Sequence, residues 1–237
     1  MSTPTQPLGA PSSSTPAQIP NASSPTSTLT GKYVSLRPLT NSDIPALFTS
    51  LCGPSNASLW TYLPFAGPYD SLEAFTSYIG FLISNISSTG DFPFVITKLS
   101  DSKIVGISCL INIVPAHRRA EIGFVTYARE LQRTREATEV AYLLLNYAFG
   151  LGNERVEWKL DALNGPSKRA AERYGFTYEG TFRKHMVVKG RRRDTSWYSI
   201  IDDEWNANVK HAFEAWLSDD NFDERGQQIK KLEEFRK

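Results

Sequence analysis

The chain has 237 residues, 41% of them hydrophobic and 22% charged, with a formal net charge of +1 at pH 7; that is enough apolar material for one sizeable core. A net charge this near zero excludes the global basic field that draws a protein to nucleic acid or an anionic membrane, so partners have to be read from local sites. Cys52 and Cys109 are the only cysteines and have no CxxC or His-rich neighbours, which argues against a disulfide framework and against zinc. No apolar run approaches the ~18 residues of a membrane-spanning helix. Residues 1–31 contain no Arg and neither a basic nor an apolar leader pattern, so the expectation is a soluble protein of the cytoplasm, with the nucleus as the alternative.

Three regions follow from composition. Residues 1–31 are dominated by Ser, Thr and Pro; too little apolar surface is available there to offset ordering entropy, and a disordered tail is predicted. Residues 32–203 carry the periodic patterns of a domain, and residues 204–237 read as a helical extension. In chain order the domain opens with a strand at Tyr33–Arg37 and a helix capped near Asn41-Ser42-Asp43 that runs to Leu51. A loop from Gly53 to Tyr69 carries Trp60, Tyr62 and Phe65 between prolines. A helix follows over Ser71–Ser84, with Leu72, Phe75 and Ile79 on one stripe. Strands at Phe94–Lys98, Ile104–Val114 and Arg119–Tyr127 form an antiparallel meander.

The period then changes. Ala137, Val140, Ala141, Leu144, Leu145 and Ala148 recur at three and four, marking an amphipathic helix over Thr134–Phe149. Arg155–Ala162 alternates strictly, as a strand does. A short helix over Pro166–Tyr174 stops at Gly175, and two strands about Thr177–Val188 and Asp194–Ile201 make a hairpin. Its basic tip, from Lys184-His185 to Arg191-Arg192-Arg193, reads as solvent-facing charge. In the extension, Trp205, Val209, Phe213 and Trp216 form one helical stripe and Ile229, Leu232 and Phe235 a second. The fold class expected is mixed α/β (α+β), a mostly antiparallel central sheet flanked by helices.

Two motifs sit where these elements meet. Gln132-Arg133-Thr134-Arg135-Glu136-Ala137 spans a strand-to-helix junction, where successive backbone N–H groups and the helix dipole suit a phosphate; the competing reading is a capped core helix. Further on come Asn164-Gly165-Pro166-Ser167, Tyr174-Gly175-Phe176 and Glu179-Gly180, in which Asn164 and Ser167 are either helix caps or site residues. The element order and both motifs resemble the GNAT superfamily of N-acetyltransferases, in its RimJ/RimL-like branch of ribosomal-protein acetyltransferases and their small-molecule-modifying relatives. The resemblance covers residues 32–203. It departs from the family's pattern at Arg135, where a central Gly is usual, and at Ala171, where many members place a Tyr acid.

The resemblance implies a GNAT acyl-CoA N-acyltransferase fold and acetyl-CoA as co-substrate. Gln132, Arg133, Thr134, Arg135, Glu136 and Ala137 would then meet the pyrophosphate, with Asn164 and Ser167 also on the cofactor. It further implies a bulge beside Gly123 where the backbone near Phe124 or Val125 holds the acetyl carbonyl. Lys168 and Arg169 are candidates for the adenosine phosphate. Acetyl transfer to an amine needs a base for the ammonium and a proton for the departing thiolate. Glu121, a carboxylate inside a strand, is the candidate base and Ser167 the candidate acid, while Trp60, Tyr62 and Phe65 would line the acceptor side. The acceptor is a primary amine, either a protein amino terminus beginning with Ser or Ala or a small molecule. Scattered histidines suggest no metal. The alternative from another class is a non-catalytic acyl-CoA-binding module on the same scaffold.

Overall fold

The computed structural model describes residues 9–12, 15–21, 27–88 and 90–236. One eight-stranded sheet runs through them in the order β1-β2-β3-β4-β5-β6-β8-β7. Its strands are β1 (Leu29–Thr30), β2 (Val34–Pro38), β3 (Phe92–Lys98), β4 (Ile104–Val114), β5 (Arg119–Tyr127), β6 (Arg155–Asp161), β7 (Thr177–Val188) and β8 (Arg191–Ile201). All neighbours pair antiparallel except β5 and β6, which are parallel and joined through α3 (Arg135–Gly150). Helices α1 (Ile44–Leu51) and α2 (Leu72–Ser88) precede the meander, and α4 (Gly165–Tyr174) links β6 to β7. This is the mixed, mostly antiparallel architecture expected.

The patterns in the sequence explain the layering. Val156, Trp158 and Leu160 of β6 are buried in the common core with Val140, Leu144 and Leu145 of α3, so the alternating strand and the 3.6-period helix present apolar faces to each other. Thr134 caps α3, its hydroxyl accepting from the Ala137 N–H at 3.2 Å, and Gly175 ends α4 in the left-handed conformation at φ +96, which a residue without Cβ adopts freely.

Both ends of the chain depart from expectation. In the stretch predicted as a disordered tail, several of the described residues lie on the domain. Ala17 is buried, the Ala17 and Gln18 N–H groups donate to the Pro115 and Leu151 carbonyls, and Leu29–Thr30 pairs with β2. Backbone hydrogen bonds hold there what side-chain hydrophobicity cannot. The remaining residues of 1–31 lie outside the described ones. At the other end a short α5 (Asp202–Glu204), a π turn (Trp205–Val209) and α6 (Lys210–Leu217) carry the first apolar stripe. The second stripe is not a helix. Short 3-10 turns at Asp219–Asn221 and Leu232–Phe235 flank an irregular loop, because the Asp223 carboxylate takes the Arg225 and Gln227 N–H groups and Gly226 turns with φ +72. Trp205, Phe213, Trp216 and Leu232 are nonetheless buried in the same core as the domain.

Candidate active site and cofactor cleft

The site is set by where β5 and β6 part. Their parallel pairing holds only from Arg119↔Arg155 to Glu121↔Glu157, although both strands continue, so a wedge opens beyond Glu121. On the other side of β5 the register with β4 jumps from Cys109↔Gly123 to Ile107↔Thr126. Phe124 and Val125 therefore stand together opposite Ser108, a β-bulge in which Phe124 takes φ +52 and the strand turns away from its neighbour. Gly123 is required at this point. A Cβ there would run into the Ile111 side chain and come within 3.6 Å of the Glu121 carboxylate.

The wedge leads into a cavity of about 1390 Å³ lined by Val125, Thr126 and Tyr127 of β5, Trp158 of β6, Gln132–Thr138 at the start of α3, and Asn164, Pro166, Ser167 and Arg169 of α4. That volume exceeds a small-metabolite pocket and suits an extended ligand. Five arginines line it, Arg133, Arg135, Arg169, Arg173 and Arg225, against the single carboxylate of Glu136. A chain of net charge +1 thus concentrates positive charge in one cleft at two helix starts, which fits the phosphates of coenzyme A.

The residues singled out from sequence fall into groups. Gln132, Arg133, Thr134, Arg135, Glu136, Ala137, Asn164, Ser167, Val125 and Tyr62 line the cavity. Within that set the Ala137 N–H is taken by the Thr134 hydroxyl, so Arg135 and Glu136 carry the helix-start donors left for a phosphate. Arg135 does not aim its guanidinium at the helix axis. The group lies 3.3 Å from the Phe222 ring centroid and 4.9 Å from that of Tyr33 and donates to the Tyr33 hydroxyl at 2.6 Å; turning outward is what lets a side chain replace the usual Gly. Asn164 is the cap of α4, accepting from the Ser167 N–H at 3.2 Å, and Ser167 Oγ accepts from the Trp158 indole at 3.0 Å. Asn164 is thus a cap and Ser167 is not, and both line the cavity. Lys168 pairs instead with Glu172 along the exposed face of α4.

Glu121 lies outside the cavity lining, at the apex of the wedge on the sheet face opposite Trp158. Its carboxylate is 2.6 Å from Lys159 Nζ and accepts from Asn112 Nδ2 at 2.7 Å. Burial pushes the carboxyl above its ordinary range, with Lys159 and Asn112 pulling the other way. The two partners went unnoticed in the sequence. Lys159 is legible only as a polar strand position, and Asn112 reaches Glu121 because it takes φ +49, a conformation to which Asn is suited.

The aromatic loop divides. Trp60 is fully buried, donates to the Leu51 carbonyl at 2.9 Å and packs edge-on against Tyr69, Phe75 and Tyr78; this corrects the acceptor-lining role expected of it, since an indole satisfied by a helix-end carbonyl belongs to the core. Tyr62 lines the cavity. Phe65 packs on Phe124 at 4.7 Å, and neither residue lines the cavity. Lys189 at the hairpin tip is not solvent-facing charge: its Nζ donates to the Trp60 and Gly67 carbonyls at 2.5 and 2.9 Å. Among the described residues no group of three His, Cys, Asp or Glu is placed to hold a metal, and no helix is long and apolar enough to cross a membrane.

A strand wedge opening onto a cationic helix-start cleft defines an acyl-coenzyme A binding fold. The chain belongs to the GNAT acetyltransferase family: the acetyltransferase (GNAT) domain model matches residues 34–177. A GCN5-related N-acetyltransferase from Brucella melitensis superposes with a TM-score of 0.85 at 38% identity, covering 94% of this chain and 97% of that one. Mycobacterium smegmatis RimJ in complex with CoA-disulfide superposes at 0.66 with 25% identity over 77% and 88% of the two chains. In sequence, the protein named "Putative ribosomal N-acetyltransferase YdaF" of Bacillus subtilis (strain 168) is 33% identical over 108 residues, 45% of this chain and 58% of that protein. The chain spans less than two thirds of the length of the curated relatives it matches.

Proposed function

We propose that the chain transfers the acetyl group of acetyl-CoA to a primary amine, by direct attack with both substrates bound. The observation that carries this reading is the slot through the sheet, with a five-arginine cleft on one face and a buried carboxylate on the other. The residues that would hold the cofactor are the Arg135 and Glu136 backbone at the start of α3, Gln132, Arg133 and Thr134 before it, and Asn164 and Ser167 on α4. Acetyl-CoA supplies the acetyl group as an activated thioester. The backbone at Phe124 and Val125, freed from the β4 ladder by the bulge, offers donors to the acyl oxygen. Glu121 accepts the proton of the incoming ammonium. Ser167, which accepts from Trp158 Nε1, keeps its own hydroxyl proton to donate to the departing sulfur.

A route through an acyl-cysteine is disfavoured. Burial, with Asp70 nearby, pushes the Cys52 thiol up to about 12, burial also raises the Cys109 thiol well above its ordinary value, and neither lines the cleft; nucleophilic catalysis needs the thiolate. For the acceptor we favour a protein amino terminus. The word ribosomal in the name of the Bacillus relative supports a protein acceptor. A non-catalytic coenzyme A-binding module is the second reading, favoured by one observation: no phenol stands at position 171, where Ala171 is fully buried, and Tyr174 of the same helix donates to the Ala137 carbonyl at 3.4 Å.

The test is thiol release from acetyl-CoA with peptides beginning in Ser or Ala, set beside polyamines and other small amines. Thiol should appear in step with acetylated peptide and at a higher kcat/KM than for any small amine. Coenzyme A binding without turnover across the library would establish the module instead.

A further inference from the structure

The cofactor cleft has a wall that the family match does not reach. Phe222, Arg225, Gly226, Gln227 and Gln228 line it, all beyond the matched residues 34–177. We infer that this C-terminal segment builds a site for the 3′-phosphate of coenzyme A, with Arg225 as its cation. The inference rests on the acetyl-CoA reading above.

The segment is held in place before any ligand arrives. Asp219 accepts from Lys32 Nζ and the Tyr33 hydroxyl, and Phe222 lies under the Arg135 guanidinium. The Asn221 side chain donates to the Trp216 and Lys230 carbonyls and accepts from the Lys230 N–H. Trp216 donates to Gln228 Oε1 at 2.9 Å. Asp223 Oδ1 accepts from the Arg225 and Gln227 N–H groups at 2.9 and 2.8 Å, which sets Arg225 and Gly226 at the tip of a fixed loop.

The arginines of the cleft then divide by employment. Arg135 stacks on Phe222 and ties the segment to α3, and Arg173 bonds Thr138 Oγ1 of α3 and lies 4.8 Å from the ring centroid of Trp216, the α6 residue that bonds Gln228. Arg133, Arg169 and Arg225 have no side-chain partner among the described residues. Position sorts them: the Arg169 guanidinium folds back beside Gly165 at the start of α4, the end away from Arg173. Arg133 precedes the start of α3, where a pyrophosphate belongs. Through Trp216 the segment lies beside Arg173 of α4, about 9 Å along the helix from Ser167 at 1.5 Å per residue, hence toward the end of the cleft away from the strand wedge. An acyl-CoA with its thioester in the wedge and its pyrophosphate at α3 brings its phosphorylated ribose to that far end. Phosphate suits a guanidinium fork, and no carboxylate of the segment lines the cleft to oppose it.

The experiment is calorimetric titration of the full chain with coenzyme A and with 3′-dephospho-coenzyme A. The native chain should bind coenzyme A at least tenfold more tightly. Arg225→Ala, which keeps the backbone bond to Asp223, should lose about three- to tenfold toward coenzyme A, the modest value of an exposed charge pair, with no change toward the dephospho form. Arg225→Lys should recover part of the loss. Equal weakening toward both ligands, or none, overturns the proposal, as does a native chain that does not distinguish them. A native chain that binds neither ligand removes the acetyl-CoA reading along with it, an outcome distinct from the others.

Discussion

Glu121 carries two opposing demands. As a base it must be ionised, yet it is 4% exposed, and desolvation raises its carboxyl while Lys159 and Asn112 draw it down. A raised value makes the carboxylate a stronger base, and the ion pair keeps it ionised enough to be used. Glu121→Gln is therefore expected to lower kcat/KM by ~10²-fold or more and to flatten the acid limb of the pH profile, with coenzyme A affinity nearly constant. Lys159→Met should move that limb to higher pH, because the group that lowers the carboxyl has gone. Lys159 also sits 4.3 Å from the Trp197 ring centroid, so packing alone predicts only a lower melting temperature. A limb that stays in place in Lys159→Met, or native turnover in Glu121→Gln across pH 6 to 9, would take the pair out of the mechanism.

At the scale of elements, the hairpin β7–β8 and the aromatic loop act as one unit through Lys189. Burial lowers the Lys189 ammonium, and its bonds to the Trp60 and Gly67 carbonyls hold the loop that carries Tyr62 and Phe65. Lys189→Met should raise the KM for the amine several-fold and that for acetyl-CoA less, since Tyr62 of this loop also lines the cofactor cavity while its α3 and α4 walls are untouched; equal changes in both constants would assign Lys189 to general stability. This link also marks the limit of what could be read from the chain. Strand and helix periods placed Ile104–Val114, Arg119–Tyr127 and Thr177–Val188 with the bounds observed, because alternation and 3.6-residue recurrence are local. Lys189, by contrast, reads as a turn cation, and only the twist of the hairpin brings it over the loop. Trp60 and Tyr62 are two residues apart in one aromatic run, and nothing local says that one faces the core and the other the cleft. Arg135 reads as a flaw in a glycine motif until Phe222, far along the chain, supplies its partner.

For the whole molecule, the distinction between domain and extension dissolves in the packing. Leu232 is fully buried in the cluster that holds Trp205, Phe213 and Tyr174, Arg236 donates to the Glu172 and Arg173 carbonyls, and Glu139 of α3 accepts the Lys32, Tyr33 and Val34 N–H groups at 2.7 to 2.8 Å. Ends tied this way cannot open without disturbing the start of α3 or the far half of α4, the same elements that wall the cofactor cleft. Unfolding should accordingly be one cooperative transition, and Leu232→Ala should shift all of it by ~2–5 kcal/mol, as loss of a buried Leu does. Coenzyme A at a hundredfold its Kd should restore about 2.7 kcal/mol in the native chain, and less in the variant at the same concentration, because a loosened wall raises Kd. Scanning calorimetry with and without ligand measures both quantities. An early, separate transition in Leu232→Ala with undiminished ligand protection of the main one would show that residues 219–236 melt independently and contribute nothing to the cleft.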